Sequence, residues 1–226
     1  VSGDLDSHDR VCRRIATRAD VVVVAVDHRR APEHPGPAAI DDVVGVVKWV
    51  AHRPEPLGAL IGPPALVGDS SGGAIAVLAA AALAHHPIPL AALILVCPNA
   101  DLTLAHPSIR AKGHGWGLEA SALAWFVTQW APNLDEGSLR QLSPLHANLD
   151  GLPSTLVVTA EHDPLRDEGV ALTRRLCAHG VDCTHLPLPG MVHGFWTLDD
   201  VSPAARRAGD TVIGRLAELL AGGSDQ

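Results

Sequence analysis

Gly68-Asp69-Ser70-Ser71-Gly72 sets a hydroxyl where an apolar run, Pro64–Asp69, gives way to small helix-forming residues. The spacing G-x-S-x-G between a strand and a helix is that of a nucleophile elbow, a tight turn that exposes the central serine. The turn requires small residues two positions before and after the nucleophile, so Gly68 and Gly72 bracket Ser70. Gly73 lets the helix start pack close to the sheet. Ser71 then offers its backbone N–H to a developing oxyanion, where the helix dipole favours negative charge. Taken alone, the same stretch also suits a serine-glycine turn with no reaction.

A serine at its ordinary pKa is a poor nucleophile and needs a base oriented by an acid. Two later stretches offer both. Glu161-His162-Asp163-Pro164-Leu165-Arg166-Asp167-Glu168-Gly169 follows the run STLVVTA, and Gly190-Met191-Val192-His193-Gly194-Phe195 follows THLPLP. Among thirteen histidines, His193 stands out because glycines at 190 and 194 place it on a loop. His162 is the second candidate, but its place beside Asp163 gives it a poor approach to Ser70. Asp163 precedes Pro164 at a strand end, whereas Asp167 and Glu168 read as first-turn helix residues that complement the dipole.

Positioning these groups requires alternating strands and helices. Short β-branched runs at Asp20–Asp27, Pro64–Asp69, Ala92–Pro98, Ser154–Ala160 and Cys183–Pro189 read as strands. Helical patterns at Ser7–Thr17, Pro37–Ala51, Gly72–His85, Arg166–His179 and Pro203–Leu220 separate them. That is the pattern of a parallel sheet with crossover helices, in which sites gather at the carboxyl ends of the strands. All three candidate stretches lie at such ends. The interval Leu102–Leu152 is longer than a crossover needs and carries Trp116, Trp125, Phe126 and Trp130. It reads either as core packing or as a cap helix roofing an apolar pocket lined by the three tryptophans. Residues 1–226 read as a single domain with this cap-like insertion at about 102–152.

With 226 residues, the chain is long enough for a full core. A net charge of −8, with no Lys/Arg run, argues against nucleic acid as a partner, and no apolar stretch reaches the length of a membrane span. The four cysteines lack metal-ligand spacing and fit buried thiols in a reducing compartment such as the cytoplasm, with a Cys177–Cys183 bridge left open. The sequence does not specify an oligomeric state, and a homo-oligomer is compatible with it.

The chain resembles the hormone-sensitive lipase-like group of α/β-hydrolase esterases along nearly its whole length. GDSSGG (68–73) looks like that group's G-D-S-A-G-G elbow, with Ser71 in place of its usual alanine. DPLRDEG (163–169) is similar to its acid turn, and GMVHGF (190–195) to its histidine loop. GDLDSHDRVCRRIA (3–16), DHRRAPEHP (27–35) and SPLHA (143–147) resemble further stretches. The resemblance implies hydrolysis of short- to medium-chain carboxylic esters with no cofactor and no metal. Ser70 would form the acyl-enzyme, His193 carry the proton and Asp163 fix the imidazole, with a structural role for Asp69.

His28, Arg30, Gly36 and His162 stand where the group has other residues, the last two where an aromatic is usual. The group also carries an H-G-G-G oxyanion loop ahead of the stretch matching SGDLDSHD. A central strand precedes that loop and lies between the segments matching Asp20–Asp27 and Pro64–Asp69. On this resemblance the chain is expected to be an N-terminally truncated esterase of weak or no activity, with a gap between those two segments. A chymotrypsin-like protease is excluded, because serine precedes the acid and histidine and helices alternate with strands. A non-catalytic ligand-binding protein on the same fold, and an amide or acetyl-group hydrolase, remain as rival readings.

Overall fold

A computed structural model describes residues 1–84 and 86–222. Its centre is a four-stranded, all-parallel sheet in the order β1 (Leu66–Asp69), β2 (Leu93–Val96), β3 (Thr155–His162) and β4 (Cys183–Val192). Successive residues of β2 point to opposite faces of the sheet. Leu93 and Leu95 therefore enter one core cluster, while Ile94 and Val96 enter another. Both faces are covered, which explains why β2 is apolar at every position.

The helices are α1 (Leu5–Ala19), α2 (Pro37–Ala51), α3 (Ser71–Leu83), α4 (Pro107–Lys112), α5 (Ala120–Trp130), α6 (Glu136–Gln141), α7 (Arg166–Ala178) and α8 (Pro203–Gly222). Val11 and Ile15 of α1 join Val212, Ile213 and Leu216 of α8 over one face of the sheet. Val77 and Ala80 of α3 join Leu172 and Leu176 of α7 over the other. Ala39, Val43 and Val47, spaced one helical turn apart, set α2 against Ile75, Ala79 and Leu83 of α3. The expected helix end at His85 lies outside the described residues. The interval 102–152 carries α4, α5 and α6, with α5 falling on the aromatic stretch.

Two sequence expectations require correction. Residues 20–30 form no strand, although Asp20–Asp27 has the composition of one. Strands exist by pairing, and among the described residues β1 pairs only with β2. A cavity of about 1770 Å³ is lined by Val21–Val26 on one side and Ala65–Asp69 on the other. Across this cavity Val22 is 55% exposed while Val21 and Val23 pack on the core. The last strand, β4, is longer than the pattern Cys183–Pro189 implied and runs to Val192. It tolerates Pro187 and Pro189 because β4 is an edge strand with a pairing partner on one side only.

Candidate active site

Ser70 occupies the turn between β1 and α3 with φ 54° and ψ −120°, a conformation rarely adopted by residues other than glycine. Neighbouring backbone holds it there. Its N–H donates to Val96 O at 2.9 Å, and its carbonyl accepts from Gly73 N–H and Asn99 N–H, both at 3.1 Å. Gly68 is required sterically, since a Cβ there would lie 2.2 Å from Gly72 O. At Gly73 a Cβ would meet Pro98 Cβ at 2.9 Å. Gly72, expected to be confined like Gly68, has nothing within 4 Å of such a Cβ. The close approach falls on Gly68 and Gly73 because these two face the turn backbone and Pro98 just after β2, while Gly72 faces open space.

His193 follows the end of β4. Its Nε2 lies 3.0 Å from Ser70 Oγ, and its Nδ1 lies 2.9 Å from Asp163 Oδ2. Asp163 follows β3 and is fully buried, with Oδ1 accepting the Leu165 N–H at 2.8 Å. The three residues form a continuous hydrogen-bonded chain from a hydroxyl through an imidazole to a carboxylate. Such a chain can move a proton off the hydroxyl and stabilise the resulting imidazolium. Ser71 opens α3, so its N–H lacks an intrahelical acceptor and stands beside the nucleophile at the positive end of the helix.

The other candidates point elsewhere. Asp167 pairs with Arg166 Nε at 2.8 Å. Glu168 is fully buried, and its Oε1 accepts the Ala100 N–H at 2.6 Å. Burial pushes the Glu168 carboxyl well above its ordinary range. His162 stacks on Trp116 with ring centroids 3.9 Å apart and planes 4° apart. Its Nδ1 also lies 3.4 Å from Lys112 Nζ, so it serves as the aromatic partner of Trp116 rather than as a base. His28 bonds through Nδ1 to Arg29 O at 3.0 Å, and Arg30 donates to Gly3 O at 2.8 Å, both scaffold contacts.

Of the three tryptophans, only Trp130 lines the cavity that holds Ser70 and His193. Leu123, Phe126 and Val127 of α5 line it as well. Trp116 is engaged by His162, and Trp125 is 52% exposed. A Cβ at Gly36 would lie 2.4 Å from the Trp130 ring, so the glycine makes room for an aromatic supplied by α5.

Cys97 is a neighbour that the sequence reading did not single out. Its Sγ, a carboxylate oxygen of Asp163 and a ring nitrogen of His193 all lie within 4.8 Å of one another. The histidine and the carboxylate are already hydrogen-bonded to each other. Burial, with Asp163 close by, pushes the thiol well above its ordinary pKa and keeps it protonated. Only its position just after β2 could have flagged it. All four cysteines are free, so no Cys177–Cys183 bridge forms.

A parallel sheet that carries a strained serine, a buried aspartate and a histidine just past the ends of β1, β3 and β4 has the layout of a hydrolase site. Residues 1–197 match the family described as alpha/beta hydrolase fold, and the chain belongs to it. It is 39% identical over 223 residues to carboxylesterase NlhH of Mycobacterium tuberculosis, covering 96% of this chain and 70% of that one. It is 36% identical to ethyl acetate hydrolase of Pseudomonas putida, covering 97% and 70%. A solved hyperthermophilic esterase from Pyrobaculum calidifontis superposes with a TM-score of 0.90 at 34% identity, covering 97% of this chain and 73% of that one. Among the described residues no helix is long and apolar enough to cross a membrane.

Proposed function

We propose that the chain hydrolyses small carboxylic esters through an acyl-enzyme on Ser70. The Ser70–His193–Asp163 hydrogen-bonded chain carries this reading, and the esterase names of its relatives support the substrate class. His193 Nε2 takes the Ser70 proton as Oγ attacks the ester carbonyl, and then gives that proton to the leaving alcohol. Water, deprotonated by the same nitrogen, attacks the acyl-enzyme and releases the acid. Asp163 holds the imidazole by its Nδ1–H and stabilises the imidazolium in both steps. The Ser71 N–H is the oxyanion donor assigned here.

The apolar wall from α5 suits a short to medium acyl chain, and residues 102–152 act as a cap over it. The test is hydrolysis of p-nitrophenyl butyrate by the chain and by Ser70→Ala. Turnover that Ser70→Ala abolishes is expected. Equal rates for both would remove Ser70 from the mechanism.

A further inference from the structure

The residue before the nucleophile carries a charge that the Ser70–His193–Asp163 chain does not use. Asp69 ends β1, and His8 of α1 reaches it, with Nε2 3.3 Å from Oδ1 and 3.4 Å from Oδ2. Both residues line the cavity that holds Ser70. The imidazole is also held from behind, its Nδ1 lying 2.9 Å from Ser7 Oγ. Ser7 belongs to the capping box of α1: its N–H donates to Asp4 Oδ1, its hydroxyl donates to the Asp4 carbonyl, and its oxygen accepts the Asp4 N–H, each at 2.8 Å.

The contacts around the ring fit a doubly protonated imidazole. With the Ser7 hydroxyl hydrogen on the Asp4 carbonyl at 2.8 Å, His8 Nδ1 donates to Ser7 Oγ. Nε2 faces a carboxylate and must donate as well. A histidine that donates from both nitrogens is an imidazolium. The hydrogen bond to Asp69 raises the pKa of His8 above its ordinary value, against the opposing effect of burial.

We propose that His8 is a positioning residue for the reaction at Ser70: as an imidazolium it anchors Asp69 to α1 and cancels the carboxylate charge beside the atoms on which oxyanion charge develops. Without that cation, the Asp69 charge would oppose the negative charge of the tetrahedral intermediate. The other groups facing this pair do not replace it. Asp4 is an anion on the same helix, with Arg30 nearby. The Cys12 thiol, raised by burial and by Asp9 and Asp69, stays neutral, as does Cys97. The proposal rests on the reading of Ser70 as nucleophile.

The test is a charge cycle on the full chain, with kcat and KM for p-nitrophenyl butyrate measured in His8→Gln, Asp69→Asn and the double variant. His8→Gln is expected to lower kcat by about three- to tenfold with KM nearly unchanged, the modest size reflecting a partly exposed pair. Removing both charges should restore most of the loss, and His8→Lys, which keeps the charge, should fall less than His8→Gln. A double variant as slow as His8→Gln overturns the proposal, since a purely structural contact would not be rescued by a second deletion. The His8 ring signal, followed by NMR against pH, supplies a readout independent of turnover. It should titrate at higher pH in the parent chain than in Asp69→Asn, and identical titrations overturn the proposal even if the variants fold poorly. Undiminished turnover in Ser70→Ala would instead refute the nucleophile assignment, a separate outcome.

Discussion

Ser70 and His193 are 123 positions apart in sequence, yet Ser70 Oγ and His193 Nε2 lie 3.0 Å apart. Ser70 follows β1 and His193 follows β4, the two outer strands of the sheet. Asp163 follows β3 between them and meets the far side of the ring. Parallel strands deliver all three residues to one end of the sheet, so the geometry depends on sheet register rather than on any single loop.

Asp163→Asn preserves size but cannot hold His193 in the same tautomer. The proposed mechanism therefore predicts a fall in kcat of about a thousand- to ten-thousandfold with little change in KM. Steady-state kinetics on p-nitrophenyl butyrate checks this. A loss below about tenfold would mean that another group orients His193.

Gly68→Ala and Gly72→Ala should separate sharply although both glycines belong to the same motif. A Cβ at Gly68 meets the backbone of Gly72 at 2.2 Å, whereas one at Gly72 meets nothing within 4 Å. Gly68→Ala should therefore destabilise the fold by about 2 kcal/mol or more and abolish turnover. Gly72→Ala should stay within about 1 kcal/mol of the parent in urea unfolding.

Glu168 gives the fold a pH dependence of predictable sign. Burial raises its carboxyl well above the ordinary value of 4.5. The unfolded chain loses this proton near 4.5 while the folded chain keeps it, so this group erodes stability as pH rises from there toward the raised native pKa. Glu168→Gln keeps an acceptor for the Ala100 N–H and removes the titration. The variant should gain on the parent between about pH 5 and pH 8. Urea midpoints at the two pH values measure the gain.

The thiols should react in a set order. Cys177 is exposed and Cys97 is buried. The Cys183 thiol is pushed up to about 12 by burial, with the neighbouring Cys177 adding to the effect. A disulfide-exchange reagent should label Cys177 first in the native chain and reach Cys97 only after unfolding. Mass spectrometry of the labelled peptides reads the order.

The elbow was legible in the sequence because its chemistry is local: Gly68, Ser70 and Gly73 act on one another within six residues. His193 was legible because glycines flank it at 190 and 194, and Asp163 because it sits at a strand end ahead of a proline. The sequence alone thus determined which serine, acid and histidine are on offer and in what order, the alternation of strands and helices, and the parallel sheet that this alternation requires. Tertiary structure decided matters that depend on distant partners. It left Val21–Val26 without a ladder, because strand propensity cannot supply a second strand. It turned only Trp130 of the three tryptophans onto the cavity, and gave the close contact to Gly68 and Gly73 rather than Gly72. It also joined His8 to Asp69, 61 positions away. Local sequence encodes which groups a residue can offer, but which neighbour it meets is settled only when elements pack, and charge and steric contact act through space.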